Sequence, residues 1–226
     1  MGTLETYKQK FIEFMVRSNV LTFGDFTTKS GRKTPFFINT GRYRTGAQMS
    51  TLAGFYADAI EARNVEFDFL FGPAYKGIPL AVAIAMELSN RGIDLPFCFN
   101  RKEVKVHGEG GTLVGHQPES NQRVLIVEDV TTAGTSIRET VPVLKAAADV
   151  QLAGLVVSVD RMERGQGTLN ALTELRHEFS MDTFAIVNIC EIADYLKGRE
   201  IDGTVVLTEN LYQQIQAYRQ QYGGTE

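Results

Sequence analysis

The sequence predicts an α/β fold: a central, mostly parallel sheet flanked by helices, with a small N-terminal hood lobe. Three observations predict it. Runs of β-branched and aromatic residues alternate along the chain with amphipathic helical stretches, the pattern of βαβ units. Val124 to Val127 is apolar on both faces, as a strand covered from both sides must be. Apolar residues make up 43% of the 226 residues, enough to bury a proper core. No repeat, low-complexity tract or linker divides the chain, so residues 1–226 read as a single domain.

The elements follow in order. Leu4, Tyr7, Phe11, Phe14 and Met15 share one stripe of a first helix, about Thr3 to Ser18. Gly24 to Arg44, rich in Gly, Thr and Lys around Phe36-Phe37-Ile38, predicts a hairpin-like hood, about residues 20–45. Ala47 to Arg63 is an amphipathic helix. Phe67 to Phe71 is a strand ending at Gly72-Pro73, and Ile78 to Arg91 is a helix. A strand follows at Pro96 to Asn100. Arg101 to Gln122 carries many charges, four glycines and almost no apolar period, so it predicts an irregular functional loop, about 101–118. The regular pattern then resumes: a strand at Val124, a helix through Ala148, a strand at Leu152 to Val159, a helix near Leu169 to Phe179, a strand at Thr183 to Val187, and a last helix at Glu209 to Tyr222. Pro142 falls inside one of these helices, where proline costs about 3 kcal/mol or a kink.

Composition excludes several functions. The net charge of −4 disfavours nucleic acid as a partner, which wants a basic surface. The longest apolar run, Ile78 to Met86, is far short of the roughly 20 residues a membrane span needs. Cys98 and Cys190 sit in apolar stretches and read as reduced core residues of a cytoplasmic protein, not as metal ligands. His116 and His177 read as surface residues.

One segment carries the functional argument. Val124 to Val127 leads into Glu128-Asp129, then the turn Val130-Thr131-Thr132-Ala133-Gly134, then a helix at Thr135-Ser136. Ser136-Ile137-Arg138-Glu139 has the form of a capping box. Ligands of open parallel sheets bind at the carboxyl ends of strands, and a helix N-terminus with free N–H groups attracts anions. The hydroxyls of Thr131, Thr132, Thr135 and Ser136 add donors, and Gly134 lets the backbone come close. Carboxylates beside a phosphate cradle fit a ligand with both phosphate and sugar hydroxyls, which describes a ribose phosphate. The plainer alternative is a capped βα turn with a solvated acidic pair. Neither Gly-x-x-x-x-Gly-Lys-Ser/Thr nor Gly-x-Gly-x-x-Gly after a strand is present.

This segment resembles the phosphoribosyl-diphosphate (PRPP) signature of type I phosphoribosyltransferases. Four further stretches resemble the orotate phosphoribosyltransferases within that group: Thr28 to Phe37, Phe71 to Pro79, Asn100 to Gly111, and Val159 to Gly165. The resemblance spans about Tyr7 to Tyr222. Gly115-His116-Gln117-Pro118 departs from it, where small residues are usual. The resemblance implies a type I phosphoribosyltransferase fold and a definite reaction. The ribose 5-phosphate of PRPP is transferred to N1 of orotate in pyrimidine (UMP) biosynthesis, with Mg2+ held mainly through PRPP and water and no dedicated protein metal site.

It also implies roles. Glu128 and Asp129 hold the ribose hydroxyls, and Val130, Thr131, Thr132, Ala133, Gly134, Thr135 and Ser136 cradle the 5-phosphate. Tyr75 and Lys76 grip PRPP, in a turn with a cis peptide expected at Ala74-Tyr75. Arg101, Lys102, Lys105 and His107 meet the leaving diphosphate from a glycine-rich mobile lid, with Lys105, Asp129 and His107 as the catalytic residues. Lys29 serves both PRPP and orotate, while Phe37, Ile38, Thr132 and Arg161 complete the orotate site. A homodimer with shared active sites is implied, each chain lending its lid to the other. The rivals are a phosphoribosyltransferase for another base and a PRPP-sensing regulator with a dead site. The first should lack the Lys29 and Arg161 pattern, and the second should lack the loop cations.

Overall fold

Residues 4–28, 31–105 and 111–225 are described by the computed structural model, without the side chains of 103–105 and 111. In chain order they form α1 (Thr6–Arg17), the hairpin β1 (Leu21–Thr27) and β2 (Lys33–Ile38), one 3-10 turn (Thr40–Arg42), α2 (Gly46–Arg63), β3 (Phe69–Gly72) and α3 (Gly77–Asn90). Next come β4 (Phe97–Lys105), β5 (Gly111–Gly115), β6 (Arg123–Thr131), α4 (Thr135–Ala147), β7 (Gln151–Asp160), α5 (Ala171–Phe179) and β8 (Asp182–Asn188). The chain closes with α6 (Ile189–Leu196), the short strands β9 (Glu200–Ile201) and β10 (Thr204–Val205), and α7 (Glu209–Tyr222).

Six strands make the central sheet, ordered β5-β4-β3-β6-β7-β8. All neighbours are parallel except β4 and β5. The period of two sorts each strand between two cores. Phe69, Phe71, Val124, Ile126, Leu155 and Val157 face α4 and α5, against Ile137, Val141, Leu144, Leu172 and Leu175. Leu70, Leu125, Val127 and Val156 face the opposite way, into a larger core with residues of α1, α2, α3, α6 and α7. The predicted parallel sheet with helices on both faces is therefore the observed architecture.

The hood is the β1–β2 hairpin, fastened at its base. Phe36 is fully buried and meets Tyr218 of α7 edge-on, with ring centroids 5.7 Å apart. Gly72 allows the tight passage from β3 to α3, because a Cβ there would overlap the Gly77 carbonyl oxygen. β3, β6 and β7 are adjacent and parallel, so their carboxyl ends lie side by side.

Four expectations need correction. The stretch from Arg101 onward is not wholly irregular: β4 continues through Lys105 and β5 returns antiparallel, Lys105 opposite Gly111. Charged residues suit such an edge hairpin, whose side chains can reach solvent; residues 106–110 lie outside the described ones. The capping box at Ser136 does not form. α4 starts at Thr135 with Gly134 as N-cap at φ 73°, and no side chain caps it. Asn188 and Thr45 do build such boxes, with Glu191 and Gln48, at α6 and α2. α6 and the β9–β10 ribbon were not expected. His116 is half-buried, its ring 5.1 Å from that of Phe69 and its Nε2 2.8 Å from Gln122. Pro142 lies inside α4 on its exposed side, and nothing in the structure gives it a role.

Candidate active site

Three strand ends build the site. β6 delivers Glu128 and Asp129, and alternation along the strand sends them to opposite sides. Asp129 lines the cleft. Glu128 is 7% exposed; its Oε1 accepts the Asp129 N–H at 2.9 Å and Ser136 also donates to it. So the two acids do not stand alike at the mouth of the site, because neighbours on a strand cannot face the same way. Burial, then the adjacent Asp129 charge, pushes the Glu128 carboxyl well above the usual carboxylate range. Burial also pushes Asp129 up, but hydrogen bonds from Lys76 and Thr40 outweigh it and leave that carboxyl below its ordinary value.

Those two bonds come from different elements. Lys76, at the end of the β3–α3 turn, places Nζ 2.7 Å from Asp129 Oδ2 and 3.0 Å from Thr40 Oγ1. Thr40, in the 3-10 turn after the hood, donates to the same Oδ2 at 2.5 Å. The Ala74–Tyr75 peptide is cis, as expected, and Asn100 accepts the Ala74 N–H at 2.8 Å. Tyr75 is 71% exposed, with Lys102 Nζ 5.3 Å from its ring centroid. Arg101 is half-buried and engaged.

The phosphate turn is held from within. Thr131 is buried, and its Oγ1 accepts the Gly134 N–H at 3.1 Å. It therefore shapes the turn instead of facing the cleft, a correction to its expected place among the donors. Arg138 donates to the Ala133 carbonyl at 2.5 Å from the first turn of α4. Gly134 adopts the left-handed region, where a side chain is strained, and a Cβ would crowd Leu175 and Arg138. Val130 and Thr132 line the cleft, and Thr135 is exposed.

The strand behind Asp129 is braced by two residues the sequence reading missed. Tyr56 of α2 donates to the Glu128 carbonyl and Ser158 of β7 to the Asp129 carbonyl, both at 2.6 Å. Burial, then the Asp129 charge, raises the Tyr56 phenol well above its usual value, which keeps it a donor. Tyr56→Phe is expected to leave the Glu128 carbonyl without this partner and to cost about 1–2 kcal/mol. A thermal melt should fall by roughly 2–8 °C on that estimate. An unchanged midpoint would show that this bond does not brace the strand.

Between hood and sheet lies a cleft of about 520 Å3. Phe37 and Ile38 of the hood, Asp129, Val130 and Thr132 of the β6 end, Lys76, and Arg161 all line it. Of the residues named from sequence, the cleft thus brings together Phe37, Ile38, Lys76, Asp129, Val130, Thr132 and Arg161. Arg32, Thr40 and Glu163 line it too and were not singled out. Lys29 and His107 lie outside the described residues, as does the Lys105 side chain. Among the described residues no group of three or more His, Cys, Asp or Glu is placed to hold a metal, and no helix is long and apolar enough to cross a membrane.

Known proteins are similar to this chain along nearly its whole length. The family model for the phosphoribosyl transferase domain matches residues 44–191. The orotate phosphoribosyltransferase of Clostridium acetobutylicum is 56% identical over 222 residues, covering 97% of this chain and 99% of that protein. That of Vibrio atlanticus is 43% identical, covering 97% of this chain and 100% of that protein. The crystal structure of the Francisella tularensis orotate phosphoribosyltransferase superposes with a TM-score of 0.82 at 40% identity, covering 95% of this chain and 100% of that one. With relatives this similar along nearly the whole chain, and a cleft at the strand ends where their chemistry would sit, the chain belongs to the phosphoribosyl transferase family, among the orotate phosphoribosyltransferases.

Proposed function

We propose how the residues of this cleft divide the work of the orotate phosphoribosyltransferase reaction. In that reaction N1 of orotate forms a bond to C1 of the ribose of PRPP, the bond from C1 to the diphosphate oxygen breaks, and N1 loses its proton. The observation that carries the assignment of roles is the single cleft shared by Asp129, Thr132, Arg161, Phe37 and Ile38. A sugar-hydroxyl acceptor, a phosphate turn, a flat apolar wall and a guanidinium all meet there.

Asp129 takes the ribose hydroxyls, with Glu128 as the second acid of the pair. Lys76 leaves Asp129 for PRPP, joined by Tyr75. The turn from Val130 through Thr131, Thr132, Ala133, Gly134, Thr135 and Ser136 holds the 5-phosphate with N–H groups at the start of α4, where the helix dipole favours an anion. Phe37 and Ile38 cover the orotate ring, and Thr132, Lys29 and Arg161 meet its polar edge and carboxylate. Displacement at C1 passes through an oxocarbenium-like state, so charge leaving with diphosphate must be stabilised. Arg101, Lys102, Lys105 and His107 supply that positive charge. Mg2+ needs oxygen ligands and usually keeps several waters. The ion would be held mainly through PRPP oxygens and water, and would supply Lewis-acid neutralisation of the diphosphate. We further propose a cytoplasmic homodimer with shared sites.

Loss of orotate absorbance with PRPP and Mg2+ tests the reading directly. The purified chain should consume orotate, and a chelator should stop it; no consumption would overturn it. Arg161→Leu should weaken orotate at least about a hundredfold and PRPP far less, because a desolvated carboxylate is left unpaired. Separate titrations check this, and equal losses for the two ligands would remove Arg161 from the orotate site.

A further inference from the structure

Beside the cleft, one buried carboxylate organises two guanidiniums. Glu163 is 4% exposed, and its Oε1 accepts from Arg161 Nε at 3.0 Å and Nη2 at 2.5 Å. Tyr218 of α7 donates its hydroxyl to the same oxygen at 2.8 Å. Arg32, from the hood hairpin, places Nη1 3.1 Å from Oε2. Aromatic faces fix both guanidiniums: Arg161 stands 4.7 Å from the Phe36 ring centroid and Arg32 4.5 Å from that of Tyr222. Arg32, Arg161 and Glu163 all line the cleft.

We infer that Arg32 determines specificity for an anionic base, and that Glu163 is the positioning residue that holds Arg32 and Arg161 as a pair with one positive charge to spare. The inference rests on the reading that Arg161 takes the orotate carboxylate.

The argument is one of charge. An arginine does not lose its proton in a protein, so two guanidiniums and one carboxylate sum to +1. Glu163 cannot neutralise both partners. A ligand carboxylate entering the cleft completes the set, whereas a neutral pyrimidine of the same ring shape leaves the surplus uncompensated in a partly desolvated place. Arg161 alone, paired with Glu163, would present no net charge. Within this cluster Arg32 is what restores it. The geometry agrees: Arg161 turns Nε and Nη2 toward Glu163, which leaves the Nη1–Nη2 edge of its planar fork for a second carboxylate. Because Arg32 belongs to the hood and Glu163 to the segment after β7, the same contacts also fasten the hood over the base.

Kinetics with three variants test this. In Arg32→Gln the cluster sums to zero. Orotate KM should rise about tenfold or more, the loss expected for one charge-assisted contact. The KM for PRPP should stay within about twofold, and uracil, which the surplus charge disfavours, should inhibit at least as well as before, since neither ligand places a carboxylate there. The double variant Arg32→Gln/Glu163→Gln sums to +1 again and should regain much of the lost orotate affinity, which a merely structural role for Arg32 would not allow. Arg32→Lys keeps the charge and should fall between wild type and Arg32→Gln. Orotate KM unchanged in Arg32→Gln, equal losses for orotate and PRPP, or a double variant no better than Arg32→Gln would each overturn the inference. Arg161→Leu separates the two levels. If it spares orotate, the underlying assignment falls; if it weakens orotate while Arg32→Gln does not, only the role of Arg32 falls.

Discussion

Asp129→Asn is expected to lower kcat about a hundredfold or more, since the ribose hydroxyl bonds it weakens are to a charged acceptor and together amount to roughly 3 kcal/mol. The position explains why the effect should fall on chemistry and not on folding. Asp129 lies at the cleft end of β6, with its backbone already fixed by the Ser158 hydroxyl and the neighbouring Glu128 carbonyl by Tyr56. Asn has the same shape, so no cavity opens and the amide oxygen can still accept from Thr40. What disappears is the negative charge. Lys76 Nζ, now 2.7 Å from that carboxylate, loses its ion pair in the free enzyme, and the ribose loses a charged acceptor in the complex. The lost pair is more than half exposed on the lysine side, so its contribution to stability is small. Turnover and a thermal melt decide the matter together. Near-normal kcat would remove Asp129 from the reaction, and a collapse of the melting temperature would show that its role is structural.

Why Asp129 and Lys76 could be singled out from sequence, and Thr40, Tyr56 and Ser158 could not, has a physical reason. The run Val124 to Thr132 is local: strand pattern, adjacent acids and a hydroxyl-rich turn lie within one stretch, and a parallel sheet sends such a strand end to the ligand. The two cores are legible in the same way, because alternation along Phe69 to Phe71 and Val124 to Val127 sorts residues to opposite faces. Thr40 reaches Asp129 across a separation of 89 residues, and Arg32 reaches Glu163 across 131. No short-range pattern marks such pairs. The one available signal was position: Arg32 follows Lys29 in the hood motif, and Glu163 stands two residues from Arg161.

Local rules also misled in places. Ser136 to Glu139 spells a capping box, yet the Gly134 turn starts α4 two residues earlier, which makes Ser136 a helical residue whose hydroxyl goes to Glu128. α6 escaped notice because Asn188 is both the last residue of β8 and the N-cap of the helix, so no turn residues separate the two. The extension of β4 escaped because its residues from Arg101 to Lys105 are mostly charged, and β5 because Gly-Thr-Leu-Val-Gly is too short to show an apolar period.

That hairpin supports the last prediction. Gly72, the end of β3, pairs with Phe99, so β4 continues beyond the sheet's neighbouring strand from Asn100 to Lys105. At about 3.3 Å per residue this carries Lys105 roughly 20 Å past the end of β3, on the far side of β3 from the Asp129 strand. An edge extension of this length gives its tip the reach to meet a second copy of the chain. In the proposed shared-site homodimer a closed two-fold makes the exchange reciprocal, and each chain would lend Lys105 to the site built around its partner's Asp129. Lys105→Ala and Asp129→Asn should each be nearly inactive alone. After subunit exchange, each hybrid dimer should hold one site with both defects and one with none. Random pairing makes about half the dimers hybrids, so the mixture should recover to roughly a quarter of wild-type activity on this two-fold arithmetic. If both residues act within one chain, no intact site forms and the mixture stays inactive. An inactive mixture, with exchange verified by native mass spectrometry, would reject the shared site and leave the orotate phosphoribosyltransferase reaction standing.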